Sequence, residues 1–311
     1  MPILSLLVLW FVVSLPIRYA LLWVWTLLGK TRFRKYTRRY AEACNLDLVL
    51  RIFRFEPSDC YLFAFYDATF ITKWWGRKYF RQLTRSLPSF NQKYADYAFW
   101  VKKPLDRSTD DPILLYLHGG GYKFQLGPGQ FKALLVLHEL IEPEAAEKLL
   151  ILVLDYSLAC YGAKFPRQKD ELNHVWNQLT QEEGNTNIIA VGDLAGAHLI
   201  LTYLQELRDY EYHKLYPKIV YPSHMYLISP WIRTLMNPSE VAPPGHLVLV
   251  NEKRDFLNLA KYHEDSAFNI FGNLDMHLLF NDPGRAPMRH ADWDSIPSIS
   301  DPSRKIFVSV G

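Results

Sequence analysis

The sequence predicts an α/β fold, a mostly parallel sheet with helices on both faces, preceded by an N-terminal membrane helix. Three observations carry this. From Pro112 onward, apolar runs of four to six residues alternate with amphipathic stretches, the pattern of buried parallel strands joined by helices. A glycine triplet stands directly after the first of those runs, and residues 2–28 are almost wholly apolar.

The 311 residues are 49% hydrophobic and 22% charged, enough for one large core, and a single domain plus an anchor is favoured over two domains. The expected division is a membrane anchor at 1–29, a basic juxtamembrane segment at 30–44 and the folded domain at 45–311, with 232–300 as a lid or insertion. The net charge of +3 hides a basic cluster of Lys30, Arg32, Arg34, Lys35, Arg38 and Arg39. No basic stripe continues through the body, so no nucleic-acid partner is expected. Cys44, Cys60 and Cys160 are too few for a disulfide framework and read as buried small hydrophobes, with a Cys44–Cys60 bridge as the alternative in a lumenal domain. There is no H-E-x-x-H and the histidines are dispersed, so neither a metal nor a cofactor is expected.

Residues 2–28 contain one charge, Arg18, and as a helix reach about 40 Å, more than the ~30 Å hydrocarbon layer. They lack the leading positive charge and small-residue end of a cleaved signal peptide. Two geometries fit. One is a tilted spanning helix; the other is a pair of short helices bent at Pro16-Ile17-Arg18 that dip into one leaflet, with Arg18 reaching the surface. Trp23 and Trp25 suit an interface. The basic cluster predicts a cytosolic body, and the one N-x-S/T candidate, Asn237-Pro238-Ser239, is blocked by proline.

Within the body, Asp67–Leu87 reads as helical and Tyr94–Val101 as a strand. Further strands are expected at Ile113–Leu117, Leu149–Leu154, Ile188–Val191, Met225–Ser229 and Ile306–Val310, and helices at Gln130–Leu140, Lys169–Gln181 and Ala195–Tyr210. The prolines of 232–300 interrupt this alternation, which gives either a lid over a site or a long surface excursion.

Three motifs follow strands in order. His118-Gly119-Gly120-Gly121-Tyr122 lets backbone N–H groups turn into a cavity, where paired donors stabilise an oxyanion. It lacks the G-K-[ST] of a phosphate loop. Asp155-Tyr156-Ser157-Leu158-Ala159 comes next, with Phe165-Pro166 opening a helix. Third is Gly192-Asp193-Leu194-Ala195-Gly196, which has the small flanking residues of a sharp G-x-S-x-G elbow but leucine at its apex.

This order, completed by Ser229-Pro230-Trp231, resembles the hormone-sensitive-lipase-like branch of the α/β hydrolases, and the apolar segment ahead of it resembles the fungal steryl acetyl hydrolases. The resemblance implies an α/β-hydrolase fold, carboxylic ester hydrolysis, a sterol ester or acyl-ester ligand, a bilayer partner and the endoplasmic-reticulum membrane. It also implies a lumenal body, against the charge pattern. Carried over, it makes Gly119, Gly120 and the Ala195 amide the oxyanion donors, with His118, Gly121, Gly192, Asp193 and Gly196 supporting them. Leu194 takes the nucleophile position, and Asp193 is an inherited residue beside it. The acid and histidine that the resemblance implies fall beyond Gly311, so the resemblance also implies an α/β-hydrolase fold that is incomplete at its C-terminal end. Ser157, Ser229, His198 and His224 read as structural residues rather than a replacement triad. The expected protein is therefore a degenerate, inactive relative; the alternative is a non-catalytic lipid-binding or scaffold protein on the same fold.

Overall fold

The computed structural model describes residues 6–31, 33, 34, 37–52, 60, 68–232, 270, 271 and 293–310. Seven strands form one sheet: β1 (Gln92–Tyr94), β2 (Ala98–Lys102), β3 (Ile113–Leu117), β4 (Leu150–Leu154), β5 (Ile188–Asp193), β6 (His224–Ile228) and β7 (Lys305–Ser309). Their spatial order is β1-β2-β4-β3-β5-β6-β7, with β1 and β2 antiparallel and the rest parallel. This is the expected α/β-hydrolase arrangement. The strands named from Ile113 onward are present to within two residues at each end, because continuous apolar runs such as Ile113–Leu117 are stable only when both faces are covered.

Both faces are covered. On one side Leu115, Leu117, Leu152, Leu154 and Ala190 pack under α5 (Arg167–Asn177) and α6 (Ala195–Tyr212) through Leu172, Trp176, Leu199 and Tyr203. On the other, Phe99, Val101, Leu114, Ile151 and Val153 meet α3 (Ala68–Lys78) and α4 (Pro128–Leu140) through Ile71, Trp75, Phe131 and Leu134.

One strand expectation is corrected. Tyr94–Val101 is not a single strand but the hairpin β1–β2, which turns at Ala95 and Asp96 with φ of +50° and +59°. Two consecutive left-handed residues match the twist of a tight hairpin, and alanine at the first position conceals that turn. The helix expected at Lys169–Gln181 is α5 followed by a π turn at Gln178–Glu182. The helix expected at Asp67–Leu87 breaks into α3 and a single turn at Arg81–Thr84.

At the amino end, α1 (Leu6–Leu27) is one continuous helix through Pro16, so the bent pair of short helices is not seen. Its segment Leu9–Leu27 is long and apolar enough to cross a membrane, and only 11% of it is buried. Arg18 Nε donates to Ser14 Oγ at 2.7 Å. The second helix, α2 (Tyr40–Ile52), packs on α1, with the Tyr40 hydroxyl donating to Tyr19 O at 3.0 Å. The Cys44–Cys60 bridge is not formed, and the thiol that acts on Cys160 is that of Cys60. Burial, then that neighbour, pushes Cys160 up to about 12.

At the far edge, β7 pairs with β6 alone among the described residues, and Ile306, Phe307, Val308 and Val310 are exposed. The proposed lid at 232–300 lies outside the described residues except for Ile232, Ile270, Phe271 and 293–300. Ile270 and Phe271 are buried in the core, and Ile270 O accepts the Phe165 N–H at 2.9 Å.

Candidate active site

The carboxyl ends of β3 and β5 sit side by side, with Leu117 opposite Gly192, and both motifs leave the sheet there, the usual position for a site in an open α/β sheet. At the elbow, Leu194 has φ +48° and ψ −106°. This conformation costs a leucine of the order of 1–3 kcal/mol and is held by the surroundings. Leu194 N–H donates to Ile228 O at 2.9 Å, and Leu194 O accepts from Trp231 at 3.1 Å. The two flanking glycines are obligatory. A Cβ on Gly192 would lie 2.6 Å from the Ala197 nitrogen, and one on Gly196 would lie 2.5 Å from the Leu117 carbonyl carbon and closer still to its oxygen. The steric demands of the turn are thus met in full around a residue that has no hydroxyl.

In the glycine loop, Gly120, Gly121 and Tyr122 have φ of +114°, +61° and +58°. Gly120 O accepts the N–H groups of Lys123 and Phe124, each at 3.1 Å. The expected donor set needs one correction. The Gly119 N–H is already committed, donating to Asp193 Oδ1 at 2.8 Å. Asp193 also accepts from the Tyr116 hydroxyl at 2.5 Å and from Gln130 Nε2 at 2.8 Å. Its carboxylate is therefore a latch that ties the elbow to β3 and α4, and in this structure the Gly119 N–H is one of its donors. The N–H groups of Gly120, Gly121 and Ala195 have no acceptor among the described residues.

His118 is fully buried, and its ring stacks on Tyr156 with centroids 4.1 Å apart. Nδ1 lies 2.7 Å from Gly119 O, so the proton sits there, and Nε2 has no described partner. Burial holds the ring down to about 4, against smaller opposing effects of the Gly119 carbonyl and Asp193. It is neutral at neutral pH and shapes the loop. Tyr156 donates to His118 O at 2.7 Å, which fixes the loop from below. Burial, reinforced by Asp193, pushes the Tyr116 phenol well up, so that it remains a donor.

Beneath the elbow, the Tyr122 hydroxyl donates to Ala195 O at 3.0 Å and lies 2.6 Å from His198 Nδ1. The His198 ring sits among Tyr122, Phe165, Trp231 and Phe271. The other weighed residues have structural positions. Ser157 Oγ donates to Glu171 Oε1 at 2.5 Å, and its N–H donates to Oε2 at 2.6 Å. Ser229 N–H donates to Ser309 O. His224 begins β6, at the end of the sheet away from the elbow, and its Nδ1 accepts from Lys305 N–H at 3.0 Å. No group of three His, Cys, Asp or Glu placed to hold a metal occurs among the described residues.

Sequence reasoning missed Tyr116, Gln130 and Tyr122 as site-building residues. A signal existed for Tyr116, the one hydroxyl in the strand ILLYL, since a buried phenol requires a partner.

The sequence pattern of the steryl acetyl hydrolases matches residues 82–244, more than half of the chain and including both motifs. The chain belongs to the steryl acetyl hydrolase family. Among the family's curated proteins, mug81 of Schizosaccharomyces pombe (strain 972 / ATCC 24843), a candidate steryl acetyl hydrolase, is 31% identical over 243 residues, which cover 72% of this chain and 58% of that one. Steryl acetyl hydrolase 1 of Saccharomyces cerevisiae (strain ATCC 204508 / S288c) is 30% identical over 138 residues, 43% of this chain and 30% of that one. The chain thus spans well under two thirds of the length of these steryl acetyl hydrolases. Among solved structures, an esterase of the bacterial hormone-sensitive lipase family covers 85% of this chain and 87% of its own, at 21% identity and TM-score 0.46. Carboxyl esterase 2 of the mycorrhizal fungus Tuber melanosporum covers 68% and 61%, at 21% identity and TM-score 0.47.

Proposed function

We propose that the chain is a membrane-anchored steryl acetyl hydrolase family member that does not hydrolyse esters, seated at the endoplasmic-reticulum membrane through α1. The observation that carries this is Leu194 at the apex of the elbow. Ester hydrolysis on this architecture begins with an activated hydroxyl attacking the carbonyl carbon, while nearby N–H groups receive the negative charge on the oxygen. Gly120 and Ala195 supply such N–H groups; a leucine side chain supplies neither a nucleophile nor a proton. The exposed apolar surface of α1 supports the anchor.

The test is p-nitrophenyl acetate hydrolysis by the full chain in neutral detergent, beside a Leu194→Ser variant. The parent is expected at background. Turnover by the parent overturns the proposal. Activity gained by the variant alone supports it and assigns the defect to Leu194.

A second reading, non-catalytic binding of an acyl or sterol ester at the same loop, draws on the amides of Gly120, Gly121 and Ala195, which have no described acceptor and lie beside an apolar Leu194. Saturable binding of a sterol acetate, lost in Gly120→Val, is its expected outcome; binding that does not saturate removes it.

A further inference from the structure

Helices α1 and α2, with the turn that follows α1, line an open cavity of about 430 Å³, one wall of which carries Leu21, Leu22 and Trp25. The charged lining is Arg18, Lys30, Arg51 and Asp47, three cations against one carboxylate. Asp47 accepts from Arg51 Nε at 2.7 Å. Arg18 uses its Nε on Ser14, and no described residue accepts from its terminal guanidinium nitrogens or from the Lys30 ammonium. Cations in surplus that converge on a cavity select an anion, and a guanidinium fits the oxygens of a phosphate.

The cavity also has an apolar wall, formed by α1 itself, whose Ile17, Leu21, Trp25 and Leu27 are exposed. A free anion has no use for that wall, whereas a phosphate carried on acyl chains would use both the cations and the wall. We propose that this cavity seats the phosphate headgroup of an anionic phospholipid. Arg18, Lys30 and Arg51 hold the phosphate, and Leu21, Leu22 and Trp25 lie along the glycerol end of the chains. The proposal rests on the reading of α1 as membrane-embedded and adds a specific lipid site to it.

The experiment is native mass spectrometry of the full chain in neutral detergent, titrated separately with phosphatidic acid, phosphatidylcholine and inorganic phosphate. One saturable phosphatidic acid per chain is expected, with phosphatidylcholine much weaker. Each Lys or Arg near an anionic lipid surface contributes about fivefold, so Arg18→Gln combined with Lys30→Gln should weaken phosphatidic acid roughly 25-fold. The charge-keeping pair Arg18→Lys and Lys30→Arg should bind much closer to the parent than to the glutamine pair. Equal binding of the two phospholipids overturns the proposal, as does a glutamine pair that binds like the parent. A charge-keeping pair as weak as the glutamine pair overturns it too, since packing rather than charge would then set the affinity. Displacement of phosphatidic acid by inorganic phosphate assigns the cavity to a free anion and overturns the lipid assignment. Alkaline carbonate extraction of membranes separates the two readings: release of the parent chain removes the membrane anchor, while retention without lipid preference removes only the headgroup site.

Discussion

Replacing Gly196 by alanine tests whether the elbow and the glycine loop are one packed unit. The added Cβ would stand 2.5 Å from the Leu117 carbonyl carbon and 2.9 Å from His118 O. Carbon atoms in good contact are about 3.5 Å apart, so α6 and the end of β3 must separate by about 1 Å. Neither side is a flexible side chain. The cost therefore falls near the top of the ~1–3 kcal/mol range for overpacking, offset by up to about 1 kcal/mol of better helix propensity. A net loss of about 2 kcal/mol, with a urea slope of about 2 kcal/mol per molar, lowers the unfolding midpoint by roughly 1 M. Tryptophan fluorescence of the full chain in detergent reads it. Gly129→Ala is the control, since nothing lies within 4 Å of a Cβ at that position, and its midpoint should hold or rise slightly. A Gly196→Ala midpoint equal to the parent's, or an equal fall in both variants, would refute the close-approach argument.

Two further outcomes follow from the site. His118 titrates near 4 when folded against 6.5 in its ordinary state, so between those values the unfolded chain binds a proton that the folded chain does not. This contribution is complete above pH 6.5 and is lost as pH falls toward 4, by about 2 kcal/mol at pH 5. Urea midpoints at pH 7 and pH 5 should diverge in the parent and converge in His118→Asn; an equal divergence in both would remove the assignment. Asp193→Ala strands the Tyr116 hydroxyl, the Gly119 N–H and the Gln130 amide, at about 1–3 kcal/mol for a buried orphan. A thermal midpoint lowered by several degrees, with a smaller loss in Asp193→Asn, is expected, whereas an unchanged midpoint in Asp193→Ala counts against the latch.

The sheet was legible because its central strands are buried on both faces and so appear as uninterrupted apolar runs; Ile113–Leu117 was placed to the residue. The elbow was legible because Gly192 and Gly196 leave no room for a Cβ, a constraint that writes itself into residue type. What escaped was set by tertiary geometry. Ala95 adopts a left-handed conformation that alanine does not advertise, so the hairpin looked like one strand. Gly119 looked like its glycine neighbours, and only the fold reveals that Asp193, 74 residues away, holds its N–H. Likewise, the partnership of Tyr116 and Gln130 with that carboxylate joins two elements whose pairing no local pattern encodes.

Among the described residues β7 pairs on one side only, and an edge in that state makes concentration, as much as temperature, a variable that governs how the protein behaves in solution. Unfolding of the core is first order and indifferent to how many molecules are present. Joining the outer edges of two β7 strands is second order, and it is favoured by the exposed Phe307 and Val308. A dilute sample and a concentrated one at the same temperature will therefore differ in lifetime, and a lysine at position 308 should narrow that difference without changing the midpoint of unfolding.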